Sequence, residues 1–211
     1  MKVTKHEHSC LVVEQSGDTL VIDPGSFTMP LTDLRKVVAI VITHEHADHW
    51  TPEQLRRILD VNSNARIFGP AGVAAAADFE VIVVAAGDVH EVGEFTLEFF
   101  GGTHAEIHRS IPLIDNVGVL VNRELYYAGD SFFVPEGLEV STLAVPAGAP
   151  WLKIGEVIDY VMAVAPRRSF PVHEMVLSVA GKAMSNDRIN AATTAGGGKF
   201  FPLEPGETLD L

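Results

Sequence analysis

Three imidazoles and two carboxylates occupy six consecutive positions of the chain, in the segment HEHADH that begins at His44. Neutral imidazole nitrogens and carboxylate oxygens are suitable ligands for a divalent cation. His44 and His46 are separated by one residue and can face one ion, while Asp48 and His49 can face a second. Glu45 is expected to point into solvent. Polar loops without a ligand usually contain Gly, Ser, Asn and Asp, so this segment predicts metal binding.

A predicted strand and a predicted helix flank the segment. Residues 37–42 form a continuous apolar run rich in β-branched side chains, which is typical of a strand buried on both faces. Thr51 is a suitable N-cap, Pro52 suits the first helical position, and Gln54 completes a capping box. A helix is therefore predicted to run to about Asp60. The metal-ligating side chains then lie in the loop between a buried strand and a helix.

The rest of the chain predicts strands and helices in both halves. Further strands are predicted at residues 2–6, 9–15, 19–22, 65–68, 81–84, 95–100, 117–121, 125–128, 143–145 and 169–172 and around 200, and further helices after Pro70, at 154–165 and from about 178 to 193. Sheets packed inside helical layers are expected, which is an α+β fold. With 47% hydrophobic residues, one domain spanning 1–211 is predicted.

Composition and charge restrict the class of partner. The formal net charge is −13, which opposes unassisted binding to nucleic acid or to an anionic membrane surface. The single cysteine, Cys10, cannot form an internal disulfide, and a buried thiol is expected. Because neither a signal peptide nor a membrane-spanning run is recognisable, cytoplasmic residence is expected. The expected partner is a small-molecule substrate, and the sequence leaves the oligomeric state open.

The segment THEHADH, residues 43–49, matches the HxHxDH signature of the metallo-β-lactamase-fold hydrolase superfamily. Three later family motifs are also matched: GTH ending at His104, YAGDS containing Asp130, and PVH ending at His173. The chain resembles this family over nearly its whole length. The compact length and the segment HSC, which begins at His8, most resemble the ascorbate-6-phosphate-lactonase-like branch. The resemblance implies a four-layer αββα sandwich.

The resemblance also implies a dinuclear metal site. One ion would be bound by His44, His46 and His104, the other by Asp48, His49 and His173, and Asp130 would bridge the two. The segment LVIDPG resembles the family's early strand, which ends in an aspartate that braces the site. Asp23 is therefore expected to orient a ligand, although an ordinary Asx-Pro turn explains it equally well.

Two divalent cations about 3.5–4 Å apart can share a water, lower its pKa toward neutrality and leave a hydroxide ready to attack. The leading prediction is therefore a hydrolase acting on a small ester, lactone, amide or phosphoester. Asp48 and Asp130 are the candidates to orient the hydroxide or transfer its proton. A nitrogen and oxygen ligand set without thiolate suits zinc best, and it also accepts manganese or iron.

Four other residues are candidates to line the substrate site. His8 and His108 are additional imidazoles near the motifs, and ordinary surface histidines are the alternative. Trp151 could stack on a substrate and Lys153 could pair with a phosphate or carboxylate. A hydrophobic helix start followed by a solvated lysine explains the latter two without a substrate.

Other functions remain open on the same residues. A nuclease or phosphodiesterase is opposed by the acidic charge, and an iron-dependent oxidoreductase could use the same fold. A true β-lactamase is not expected, because that branch is typically exported. A purely structural metal site is disfavoured because such sites usually close four ligands around one ion.

Overall fold

The computed structural model describes residues 1–211, which form fourteen strands and four helices. The strands are β1 Lys2–Lys5, β2 Leu11–Gln15, β3 Asp18–Ile22, β4 Val37–Val41, β5 Arg66–Gly69, β6 Val81–Val83, β7 Val89–Val92, β8 Phe95–Thr103, β9 Asp115–Val121, β10 Leu125–Tyr127, β11 Thr142–Pro146, β12 Arg168–Val172, β13 Lys199–Phe200 and β14 Thr208–Asp210. The helices are α1 Pro52–Leu59, α2 Ala71–Ala76, α3 Ile154–Val164 and α4 Val179–Ala195. No helix combines the length and the apolar composition needed to cross a bilayer.

Two seven-stranded mixed sheets form the centre of the molecule. Their strand orders are β14-β1-β2-β3-β4-β5-β6 and β13-β12-β11-β10-β9-β8-β7. In the first sheet β3 to β6 are parallel, and in the second β10 to β13 are parallel. β8 and β10 are both antiparallel to β9, so they also run in one direction. Each sheet therefore collects the carboxyl ends of several strands at one edge.

Three apolar clusters separate four layers. The largest lies between the sheets and joins inward side chains such as Leu20 and Val41 of one sheet to Phe99 and Phe170 of the other. A second cluster packs α3 and α4 against the outer face of the second sheet, through residues such as Val161. A third packs α1 and α2 against the first sheet. This is the predicted α+β arrangement of helix, sheet, sheet and helix.

The N-terminus of α1 forms as its sequence predicts. Thr51 has an extended backbone and its side chain accepts the N–H of Gln54 at 3.2 Å, with Pro52 at the first helical position. The buried side chains of Leu55 and Ile58 then fix the helix on the sheet. Because the cap immediately follows the HEHADH segment, it ends the loop at a defined point.

Two strands were not predicted, β7 and β14. Both are short and lie at or next to a sheet edge, and their outward positions carry polar residues such as Glu91 and Asp210. β14 pairs with β1 at the opposite end of the chain, where Lys2 aligns with Asp210. No local pattern signals such a distant pairing.

A buried ion pair joins the two sheets near their shared edge. Lys5 of β1 is fully buried, and its ammonium group pairs with Glu174, which follows β12. Burial lowers the pKa of Lys5, and the negative charge of Glu174 opposes that shift. Lys182 of α4 lies 3.8 Å from the same carboxylate and 2.5 Å from Glu204. The pair holds the backbone immediately after His173 against the first sheet.

Replacing Lys5 by Met should lower the free energy of unfolding by about 3–5 kcal/mol, because Glu174 is left buried without its main partner. Urea denaturation of the purified variant measures this. The double variant Lys5→Met/Glu174→Leu should recover most of the loss, because no charge then remains buried. Wild-type stability in the single variant would contradict a structural role for the pair.

Candidate metal centre

Asp23 organises the loop that follows β4. Its Oδ1 accepts the backbone N–H of Thr43 at 2.8 Å, and its Oδ2 accepts the Thr43 hydroxyl at 2.7 Å. The same Oδ2 lies 2.7 Å from Nδ1 of His49. The Thr43 hydroxyl oxygen is in turn 3.1 Å from Nδ1 of His44. These contacts place protons on both Nδ1 atoms and leave both Nε2 lone pairs free to bind a metal.

A close backbone approach seats the same loop. A Cβ atom on Gly25 would lie 1.8 Å from the carbonyl oxygen of Asp48, so no larger residue fits without movement. The N–H of Ser26 donates to the carbonyl of Ala47 at 2.8 Å. The turn after β3 therefore fixes the height of the HEHADH segment above the sheet.

His104 and His173 follow β8 and β12 and are oriented by backbone carbonyls. Nδ1 of His104 lies 2.6 Å from the carbonyl of Ala105, and Nδ1 of His173 lies 2.6 Å from the carbonyl of Gly148. Each ring therefore donates through Nδ1 and directs the lone pair of Nε2 toward the site. Both side chains are buried, so the rings are held by packing as well.

Asp130 follows β10 and is fixed from two sides. Its backbone N–H donates to Oδ1 of Asn116 at 3.0 Å, and Nε1 of Trp151 donates to its Oδ2 at 2.9 Å. Gly129 has a φ of +67°, and a Cβ there would lie 2.3 Å from the Asn116 oxygen. Only glycine fits this turn, which delivers the carboxylate to the same edge as the histidines.

The predicted ligands converge on one small volume. His44, His46 and His104 present ligand atoms within 4.8 Å of one another, and so do Asp48, His49 and His173, joined by His8. Asp130 lies between the two groups. Its Oδ2 is 3.4 Å from His104 Nε2 and 3.1 Å from His173 Nε2, and its Oδ1 is 3.2 Å from His49 Nε2.

The ligand atoms fit divalent cations. Nε2 of His49, His104 and His173 and Oδ1 of Asp130 are buried without a hydrogen-bond partner in the protein. They approach one another without the alignment that a hydrogen bond requires. Nε2 of His44 and Nδ1 of His46 are 3.1 Å apart, close to the roughly 3.3 Å between nitrogens on a tetrahedral zinc. Buried polar atoms normally have partners, so this set of atoms is suited to binding cations.

The charges within the site reinforce one another. Burial raises the pKa of Asp130, but His49 and His173 outweigh it and hold that pKa well below the usual value. Burial likewise lowers the pKa of His173, and the carboxylates of Asp130 and Asp48 raise it to about 9. Burial and neighbouring imidazoles lower the pKa of His44. The carboxylates of Asp48 and Asp130 are therefore ionised and favour a proton on Nε2 of His173, and a metal ion that binds there would displace this proton.

His8 was predicted to line the substrate site, but it lies buried behind the metal ligands. Its side chain is fully buried, its Nε2 lies 3.1 Å from Oδ2 of Asp48, and its ring lies 3.9 Å from that of His173. Burial lowers the pKa of His8 to about 4, so the ring is neutral at pH 7. Nε2–H then donates to Asp48, and His8 supports a ligand. The backbone at His8 has a positive φ of 61°, and no residue pattern in the sequence predicted this turn.

The other predicted substrate-lining residues separate into two kinds. Trp151 is 8% exposed and its indole N–H donates to Asp130, so it supports a ligand, and its buried ring offers a substrate little surface to stack on. His108 is exposed and its Nδ1 contacts Ser110 at 2.7 Å. Lys153 is also exposed, with Glu156 at 3.8 Å as its ionic partner. The structure does not bring His108 or Lys153 into contact with the ligand cluster.

Comparison with known proteins identifies the family. A model of the β-lactamase superfamily domain matches residues 2–173, which include every predicted metal ligand. Protein Rv0786c of Mycobacterium tuberculosis is 37% identical over 199 residues, which are 92% of this chain and 93% of that protein. A UPF0173 metal-dependent hydrolase of Bacillus thuringiensis is 30% identical over 149 residues, covering 62% of this chain and 63% of that protein.

Two solved structures share the fold. Igni18, a metallo hydrolase from Ignicoccus hospitalis, matches with a TM-score of 0.74 and 19% identity, over 99% of this chain and 97% of that chain. CmlA, a diiron β-hydroxylase from Streptomyces venezuelae, matches with a TM-score of 0.78 and 17% identity, over 100% of this chain and 54% of that chain. The chain therefore belongs to the β-lactamase superfamily and has the metallo-β-lactamase fold.

Proposed function

We propose that the protein is a dinuclear metal-dependent hydrolase of small molecules, with a carboxylic ester, lactone, amide or phosphoester as substrate. The observation that carries this proposal is the position of Asp130 between two groups of ligands, with buried nitrogen and oxygen atoms that have no protein partner on both sides of it. A structural site would close around one ion, whereas this set offers ligands for two.

His44, His46 and His104 would hold one ion, and Asp48, His49 and His173 would hold the other, with Asp130 shared between them. Bound there, two such ions would supply a water of lowered pKa and a positive charge for the carbonyl or phosphoryl oxygen of the substrate. Zinc is the first choice for these nitrogen and oxygen ligands, and manganese and iron are compatible with them.

The chain's own residues supply orientation and proton transfer. Asp48 is 28% exposed at its side chain, whereas Asp130 is nearly buried, so Asp48 is the more accessible acid. Its Oδ2 lies 3.1 Å from Nε2 of His8 and 3.5 Å from Nε2 of His173. These contacts fix the carboxylate, and its side chain remains partly exposed to solvent. We assign Asp48 and Asp130 to the orientation of the attacking water and the movement of its proton.

One alternative has a specific observation in its favour. The fold match to the diiron hydroxylase CmlA, together with ligands that accept iron, makes an oxidoreductase the second candidate. A nuclease is disfavoured by the formal charge of −13. Elemental analysis and an absorption spectrum of the isolated protein distinguish an iron protein from a colourless zinc or manganese hydrolase.

A panel of p-nitrophenyl esters, lactones, thioesters and phosphodiesters tests the proposed hydrolase. The zinc- or manganese-loaded protein should hydrolyse at least one class, and removal of the metal by chelation should abolish the activity, which metal addition should restore. Asp130→Ala is the control, because it should be inactive on every class that the wild type accepts. Activity that survives both chelation and Asp130→Ala would refute the proposal.

Replacing Asp23 by Ala should weaken metal binding by about 10–100-fold, because His44 and His49 lose the group that fixes their orientation. Competition with a chromogenic zinc chelator measures the affinity without any substrate. Asp33, an exposed aspartate of the first sheet's outer loop, provides a matched control, and Asp33→Ala should leave the affinity unchanged. Equal affinities for both variants would show that Asp23 belongs only to a turn.

A further inference from the structure

A cavity of about 440 Å³ lies directly beside the metal ligands. It is lined by Gly101, Gly102, Thr103, Ala105, Ser131, Phe132 and Phe133. Thr103 and Ala105 flank His104, and Ser131 follows Asp130, so the cavity wall begins one residue from two ligands. Successive Cα atoms are about 3.8 Å apart, so the backbone of the cavity wall lies close to the backbone of both ligands.

The lining of this cavity carries no charged side chain. Two phenylalanines form its apolar wall, and two glycines leave its floor free of side chains. A phosphate or carboxylate placed there would meet no cationic partner, within a chain whose net charge is already −13. The cavity is therefore suited to an uncharged, apolar group.

The apolar wall is held in place by specific contacts. The Tyr126 hydroxyl donates to the carbonyl of Phe133 at 3.0 Å, and the Phe133 N–H donates to the Ser131 hydroxyl oxygen at 3.3 Å. The Phe132 ring packs edge-on against Trp151 with 5.2 Å between centroids. Phe133 nevertheless remains 41% exposed. An apolar ligand that covered this ring would gain the free energy of burying it.

The larger cavity of the molecule has no such relation to the site. Its volume is about 620 Å³, and it lies between the end of α1 and strands β5 and β6, with Phe79 in its lining. None of its lining residues is a metal ligand or a neighbour of one in the sequence. The larger volume therefore does not make this cavity the substrate site. The smaller cavity is the better candidate because its lining residues neighbour two metal ligands.

We propose that the cavity beside His104 binds the uncharged acyl chain of a carboxylic ester or lactone. This inference rests on the proposed hydrolase function and narrows its substrate class. In the reaction, the oxygen of water bonds to the acyl carbon, the bond from that carbon to the alcohol oxygen breaks, and the alcohol oxygen takes up a proton from the water. An ester releases the alcohol, whereas in a lactone the alcohol stays attached to the acid product. The acyl chain of the product remains in the cavity. Substrates with a phosphate on the acyl part are excluded.

The chain-length dependence of kcat/KM tests the proposal in the metal-loaded wild type. From p-nitrophenyl acetate to butanoate and hexanoate, kcat/KM should rise by about fourfold for each methylene that becomes buried, until the cavity is full. p-Nitrophenyl monosuccinate should be a poorer substrate than the 4-methylpentanoate ester, in which an isopropyl group replaces the carboxylate. A flat series, or a preference for succinate, would overturn the acyl-chain assignment.

Phe133→Ala and Phe79→Ala form a matched pair, since each removes one ring from a cavity. Phe133→Ala should reduce the ratio of hexanoate to acetate kcat/KM at least fivefold, and Phe133→Leu should restore most of it. Phe79→Ala should leave the ratio unchanged. An equal ratio in the two alanine variants would contradict the proposal.

Binding of octanamide gives a readout that needs no turnover. Tryptophan fluorescence should change saturably on titration, because Phe132 contacts Trp151, and Phe133→Ala should weaken this binding. Saturable binding without hydrolysis of any class in the substrate panel would support the cavity's ligand class and refute the proposed hydrolase. Hydrolysis that does not depend on chain length, in a protein that does not bind octanamide, would support the proposed hydrolase and refute the assignment of the cavity.

Discussion

The constraint on which the site depends is the burial of nitrogen and oxygen atoms that the protein itself leaves without partners. Three Nε2 atoms and one carboxylate oxygen face one another at the edge of the two sheets, although an unpartnered buried polar atom is costly. Every other polar atom of these four side chains is hydrogen-bonded, and these hydrogen bonds hold the unpartnered atoms in position. Asp23, the carbonyls of Ala105 and Gly148, and the indole of Trp151 hold the far ends of these groups. A pair of cations would complete the arrangement.

The architecture explains why residues so distant in sequence meet there. Asp23 and the HEHADH loop follow two parallel strands of one sheet, while Asp130 and His173 follow strands that share a direction in the other. The core between the sheets aligns these ends at one edge. The pair between Lys5 and Glu174 then ties the last ligand-bearing segment to the first strand. Ligand geometry is thus a property of sheet packing as much as of the loops.

The sequence predicted those parts of the structure that have local causes. The apolar run of β4, the Thr51 cap and the clustered histidines each carry their signal within a few residues. That His104, Asp130 and His173 lie near that cluster was predicted only from the resemblance to a known family, because no spacing rule relates them to residue 44. His8 and Trp151 were misplaced as substrate contacts, since their roles depend on tertiary packing against Asp48 and Asp130. The edge strand β14 escaped prediction for the same reason, as its partner lies at the other terminus.

In the proposed site, seven side chains hold two cations. Anomalous diffraction from crystals of the zinc-loaded protein decides whether both cations bind there. Two peaks per chain are expected, each about 2.0–2.2 Å from its ligand atoms. One peak should lie among His44, His46 and His104, the other among Asp48, His49 and His173, and Asp130 should contact both. A single peak, or peaks elsewhere on the chain, would refute the dinuclear site.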